Sequence, residues 1–148
     1  MSNLNLNGNI SKNEETLQAA YNDLITFGKL FSPQDFLASA TPDFHHDVGK
    51  FLINKEIQQL ALVLPRDHAK STMGTCAVLH RFLFATKENP EFIAWIGEAQ
   101  DQARDNLGWI QNHIYENPAI HYYFGDLEGD KWTKDEFTLK NGCRMIGK

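Results

Sequence analysis

The residues with the clearest chemical purpose lie together, in Leu64-Pro65-Arg66-Asp67-His68-Ala69-Lys70-Ser71-Thr72. An apolar run, Leu60 to Leu64, enters this segment, and a helical pattern beginning at Ser71 leaves it. That order suits anion binding. Loop N–H groups converge on a phosphate while a helix N-terminus adds partial positive charge. A lysine then reaches the terminal phosphates, and the next Ser or Thr holds Mg²⁺. Lys70 and Ser71 occupy those two places. Thr72 falls in the first helical turn, where it can contact another phosphate. The usual pattern has glycine at the positions of Leu64 and Ala69, for close backbone approach and special dihedrals. Neither is glycine here. A plain strand-to-helix turn with a Lys-Ser-Thr cap is the other reading of the same residues.

Few other groups compete. His45 and His46 are neighbours, about 100° apart on a helix, so they do not share one ion without further ligands. His68 lies inside the loop and shapes it. Glu98 opens a helix, where an acid is favourable against the dipole. Asp101, Arg104 and Asp105 read as a solvated face, and Trp95, Trp109 and Trp132 as packing residues. Lys12, Lys29, Lys50 and Lys55 are scattered and form no stripe suited to a DNA groove.

The elements that must position the loop follow from periodicity and punctuation. Residues 1–10, with four Asn and one Gly, read as a flexible leader. Ser11-Lys12-Asn13-Glu14 has capping-box spacing, and Leu17, Ala20, Tyr21, Leu24 and Ile25 continue it as a helix ending at Gly28. Ser32-Pro33 and Thr41-Pro42 each start a helix. The second carries Phe44, Val48, Phe51 and Leu52 on one face. Leu60–Leu64 and Phe92–Ile96 are ungapped apolar runs, the pattern of strands buried on both faces. Helices are expected over 71–86 and 98–116, the latter stopped by Asn117-Pro118. Residues 121–131 read as irregular. Asn141-Gly142, between two short apolar runs, predicts a hairpin. Strand–helix alternation with ungapped strands predicts an α/β fold with a largely parallel sheet, whose ligands sit at the strands' carboxyl ends.

Composition narrows the classes. The chain has 148 residues, 42% hydrophobic and 22% charged, with a net charge of −5 and a pI of about 5.6. Such a balance is that of a folded chain and gives no broad attraction to DNA or membrane. No apolar run approaches the roughly 20 residues of a membrane span, and no signal-peptide pattern follows Met1. Two distant cysteines, Cys76 and Cys143, make neither a disulfide scaffold nor a thiolate zinc site, and suit a reducing cytosol.

The loop segment from Leu62 to Thr72 resembles the divergent Walker A loop of tailed-phage terminase large subunits. That family often has Pro-Arg-Gly-x-Gly-Lys-Ser, and some members look like Arg-Asp-His-Ala-Lys-Ser. The resemblance extends over about residues 31–148, in the family's order. Thr41-Pro42-Asp43-Phe44-His45 is similar to its aromatic-plus-amide segment near the adenine. Ile93 to Ala103 resembles its second strand and following helix. Trp132 to Leu139, with Asn141-Gly142, resembles its hairpin entry.

The resemblance implies a P-loop NTPase (RecA/ASCE-like) sheet behind N-terminal helices, incomplete, over residues 11–148. The implied activity is that of an ATPase packaging viral double-stranded DNA. Such motors form a homo-oligomeric ring on the portal protein, in the host cytoplasm and transiently at the procapsid, beside a small terminase subunit. The implied cofactors are ATP and Mg²⁺. Lys70 would contact the β and γ phosphates, Ser71 would coordinate Mg²⁺, and Arg66 would sense or stabilise the γ-phosphate. Pro65, Asp67, His68, Ala69 and Thr72 complete the loop, and Phe44 and His45 the base side. Asp67 stands where many members have glycine; it either holds Arg66 or faces outward. The family's Walker B strand, with its paired acids, has no counterpart after the loop, and the nuclease carboxylates are absent. Ile96-Gly97-Glu98 is the nearest candidate, in the wrong order. The expectation is therefore an ATPase portion cut before Walker B, binding Mg-ATP without turnover. The alternatives are another viral or helicase-like P-loop ATPase, or a non-catalytic α/β remnant.

Overall fold

The computed structural model describes residues 12–66 and 68–148. The expected leader, the Ser11 end of the capping box and the Asp67 side chain lie outside them. The chain divides into two compact units, one ending at His80 and the other beginning at Arg81.

The first unit is helical. Helix α1 spans Lys12–Asn22 and α2 spans Leu24–Phe31. Between them Asp23 is extended, and its carboxylate accepts the Thr26 N–H at 2.8 Å and the Thr26 hydroxyl at 2.6 Å. One continuous apolar pattern is thus cut into two helices by a cap in its middle. Gly28 does not end the run. It sits inside α2 because a Cβ there would lie 2.6 Å from the Phe36 ring. Helix α3, Pro33–Phe36, starts at Ser32-Pro33 as expected, and α4, Asp43–Ile53, starts one residue after Pro42. Helix α5, Lys70–Leu83, runs on through the boundary between the units. Leu24, Ile25, Phe27, Phe31, Met73 and Leu79 are fully buried in this unit. His80 is buried too, stacked on Tyr21, with its Nε2 donating to the Tyr21 carbonyl at 2.9 Å.

Leu60–Leu64 is not a strand. It carries no regular structure, Val63 is 91% exposed and Leu60 43% exposed. An ungapped apolar run becomes a buried strand only where neighbours pair with its backbone, and the described strands all belong to the other unit.

The second unit is a mixed α/β layer. Strand β1, Phe92–Trp95, leads into α6, Gln100–Glu116, then α7, Pro118–Phe124. Strands β2, Glu128–Trp132, β3, Glu136–Leu139, and β4, Arg144–Gly147, complete a sheet of order β1-β4-β3-β2. Only β1 and β4 are parallel, with Trp95 opposite Gly147; the other two pairings are antiparallel. The largely parallel sheet expected from sequence is replaced by a mixed one because short turns join β2, β3 and β4. Strand β1 is an edge, with Phe92 61% exposed, and is not buried on both faces. The irregular stretch expected over 121–131 contains the end of α7 and most of β2. Asn117-Pro118 ends α6 and also caps α7, its Oδ1 accepting the Ala119 N–H at 3.0 Å. Helix α6 buries Ala103, Leu107, Ile110 and Ile114 as its spacing predicts. A Cβ on Gly147 would lie 3.1 Å from Leu107, which shows how closely α6 covers β4.

Candidate functional site

The loop before α5 carries the site. Ala69 has φ of 55°, in the left-handed region. An L-residue there costs about 1–2 kcal/mol relative to glycine. The strain therefore falls where a phosphate loop has its second glycine, one residue before Lys70. Helix α5 then starts without delay: the Met73 N–H donates to the Ala69 carbonyl at 2.8 Å. The N–H groups of Lys70, Ser71 and Thr72 precede that bond and have no acceptor within the helix. They fit an anion, and the helix dipole favours one there.

Lys70 turns back over the loop. Its Nζ donates to the Leu64 and Pro65 carbonyls, each at 2.6 Å. The ammonium thereby fixes the entry of the loop, and the same cation stands beside the helix N-terminus. Ser71 is exposed, and Thr72 is half-buried. The buried Thr75 hydroxyl bonds the Ser71 carbonyl at 2.9 Å, which stiffens the first turn. Arg66 and Pro65 are exposed.

His68 and His45 tie the loop down. A carbonyl only accepts, so the nitrogens facing one must donate. The His68 Nδ1 donates to the Arg66 carbonyl at 2.8 Å, and the His45 Nε2 donates to the His68 carbonyl at 3.2 Å. Phe44 packs edge-on to His45 with ring centroids 4.4 Å apart, and lies 5.9 Å from the His68 ring. These three rings border a cavity of about 380 Å³, with Ala69, Thr72 and Met73 on its loop side. Asp35, Ser39 and Thr41 also line it.

The structure thus brings Phe44, His45, His68, Ala69 and Thr72 to one cavity. It does not place Pro65, Arg66, Lys70 or Ser71 on that wall. Sequence reading missed Asp35, Phe36, Ser39 and Met73. The first three lie between two helix starts and Met73 lies inside α5, and neither position signals a cavity. Mg²⁺ held by one hydroxyl, phosphate oxygens and water needs no cage of protein carboxylates, so Ser71 at the helix start fits that role by its chemistry.

At the start of α2, partial burial raises the Asp23 carboxyl, but the two Thr26 hydrogen bonds outweigh it and hold it below its ordinary value. Burial pushes the Cys76 thiol well up, so it stays protonated and inert.

No protein-family model matches the chain, and no curated protein matches it significantly. Among the described residues, no helix is long and apolar enough to cross a membrane.

Proposed function

We propose that the chain is the ATP-binding portion of a viral DNA-packaging motor of the terminase large-subunit kind. The observation that carries this reading is the left-handed Ala69, placed between an apolar run and the Lys70-Ser71 start of a 14-residue helix. A simple helix cap needs no left-handed residue there; a loop that wraps an anion does. In this reading the N–H groups of Lys70 to Thr72 hold the phosphates, and Lys70 leaves the loop carbonyls to reach them. Ser71 holds Mg²⁺, Arg66 faces the γ-phosphate, and Phe44 and His45 flank the base. Bound ATP with Mg²⁺ supplies the phosphoryl group such motors hydrolyse. Double-stranded DNA, a portal protein and a small terminase subunit are the partners this reading entails.

Among the described residues no strand ending in paired acids follows the loop, and in this reading binding without turnover is the expectation. Calorimetry with Mg-ATP and Mg-ADP tests this. Weak binding, lost in Lys70→Ala, is the expected result. No binding at millimolar ligand overturns the phosphate-loop reading. Steady phosphate release that disappears in Lys70→Ala overturns the absence of turnover.

The bonds from Lys70 to the Leu64 and Pro65 carbonyls favour a second reading, a non-catalytic module whose lysine serves only to close its loop. No nucleotide binding by the parent protein, with a loop that loosens in Lys70→Ala, would select it.

A further inference from the structure

We propose that His45 is a positioning residue: with His68 it braces the loop in the left-handed turn at Ala69, doing for this chain what a loop glycine does unaided. The role in anion binding rests on the phosphate-loop reading; the brace itself does not.

A strained dihedral persists only when its surroundings over-determine it. Ala69 has φ of 55°, and the peptide that precedes it carries the His68 carbonyl. That carbonyl is held by the His45 Nε2 at 3.2 Å, across 23 positions of sequence. The other side of the same residue is held by its own ring, whose Nδ1 donates to the Arg66 carbonyl at 2.8 Å. Rotation of the 68–69 peptide out of the left-handed turn must release the first bond and pull against the second. His45 is a firm anchor because it stands in the first turn of α4, its own N–H bonded to the Pro42 carbonyl at 3.0 Å. Helix α4 in turn lies close on α2, where a Cβ on Gly49 would be 3.2 Å from Leu24. The brace thus connects the loop to the packed helices of its own unit. The N–H groups of Lys70 to Thr72 keep their direction only while Ala69 keeps its turn.

A mutant cycle in the full chain tests this, using His45→Ala, His45→Gln, Ala69→Gly and the His45→Ala/Ala69→Gly double variant. The first readout is hydrogen exchange of the Met73 amide, whose acceptor is the Ala69 carbonyl. In His45→Ala it should exchange about fivefold faster, the factor for one net hydrogen bond. His45→Gln, which keeps a donor, should restore it. In the Ala69→Gly background the loss of His45 should have no effect, because glycine holds the turn alone. His45→Leu, which keeps volume without a donor, should behave as His45→Ala and stands in for it if that variant does not fold. Unchanged exchange in the variants without a donor overturns the proposal. So does equal acceleration in both backgrounds, which would mean that His45 acts through packing.

The second readout is Mg-ADP affinity of the same proteins. About fivefold weaker binding in His45→Ala, clearly smaller in the glycine background where only the contact beside the base is lost, supports the positioning role. Equal losses in both backgrounds overturn it, because His45 would then act only by flanking the base and not through the turn. No ADP binding by any of them, with the exchange pattern intact, overturns the phosphate-loop reading and leaves the brace standing.

Discussion

Asp135 shows how one side chain can fasten two elements. The Arg104 Nε donates to its Oδ1 at 2.7 Å and the Nη2 to its Oδ2 at 3.2 Å. This two-bond geometry is the strong form of the pair. Gln100 adds a bond at 3.0 Å, and the Asp135 carbonyl accepts the Gly147 N–H at 2.8 Å. The first turns of α6 are thus tied to the β2–β3 turn and to the end of β4. Sequence reading took Arg104 for part of a solvated face, because its partner lies 31 residues away and charge alone names no partner. The Arg104 hydrogen bond, helped by its positive charge, holds the Asp135 carboxyl below the usual carboxylate range. The native state therefore binds the proton less readily than the unfolded chain does. The stabilisation is complete above the ordinary Asp value of about 3.9 and is lost as pH falls through the lower native value. Asp135→Asn should lower the urea midpoint near neutral pH, and the difference from the parent protein should shrink below about pH 4. Urea titrations across that range check it. A constant difference down to the most acidic point would mean that the ionised carboxylate contributes nothing.

At the level of elements, the hairpin turn does more than turn. Gly142 has φ of 89°, as a tight turn between β3 and β4 requires. Asn141 is buried, and its Nδ2 donates to the Phe82 carbonyl at 2.8 Å and the Ala85 carbonyl at 3.4 Å. Its Oδ1 accepts the Cys143 N–H at 3.2 Å. One amide therefore fixes the turn and satisfies an orphan carbonyl in the last turn of α5. Asn141→Ala leaves these groups unsatisfied and should cost about 1–3 kcal/mol. Asn141→Asp removes the donor but keeps the acceptor, and should be nearly as costly. Denaturant unfolding of both variants measures this, and a change within a few tenths of a kcal/mol would show that water replaces the amide. The hairpin itself was legible, since Asn-Gly between apolar runs has a local cause. So were the buried stripe of α6 and the start of α5, which follow from period and punctuation. What failed was what depends on a distant partner. Leu60–Leu64 has the composition of an inner strand, yet composition cannot supply the neighbour it needs. Strand β2 went unseen because Glu128-Gly129-Asp130-Lys131-Trp132 has no apolar alternation. It is a polar edge held by backbone bonds, by the Lys131–Glu136 ion pair and by Trp132 against Phe137, with ring centroids 5.2 Å apart. At the candidate site, the Lys-Ser-Thr order was legible and the two-histidine brace was not. A hydrogen bond from residue 45 to residue 68 leaves no mark on local spacing.

On the scale of the whole molecule, the sequence reads as one sheet domain, whereas the structure has two compact units with their boundary inside α5. Every residue assigned to the candidate site, from Asp35 to Met73, belongs to the first unit. Mass action therefore makes a spatial prediction. A ligand held only by the native first unit stabilises it by about 2.7 kcal/mol at a hundred times its dissociation constant. Regions that open locally without releasing the ligand gain nothing. Saturating Mg-ADP should slow amide exchange most at Lys70 to Met73 and across α2 and α4, whose packing holds the brace. The amides of α6 from Ala103 to Ile114, and those of β3 and β4, should exchange as before wherever they open by local fluctuation. Helix α5 divides the effect along its own length, with its first turns protected and the turn around Phe82 following the second unit. Hydrogen exchange with and without Mg-ADP, read residue by residue, decides it. Equal slowing in α6, β3 and β4 would mean that both units open in a single cooperative step. The division inside α5 would then be one of geometry and not of stability.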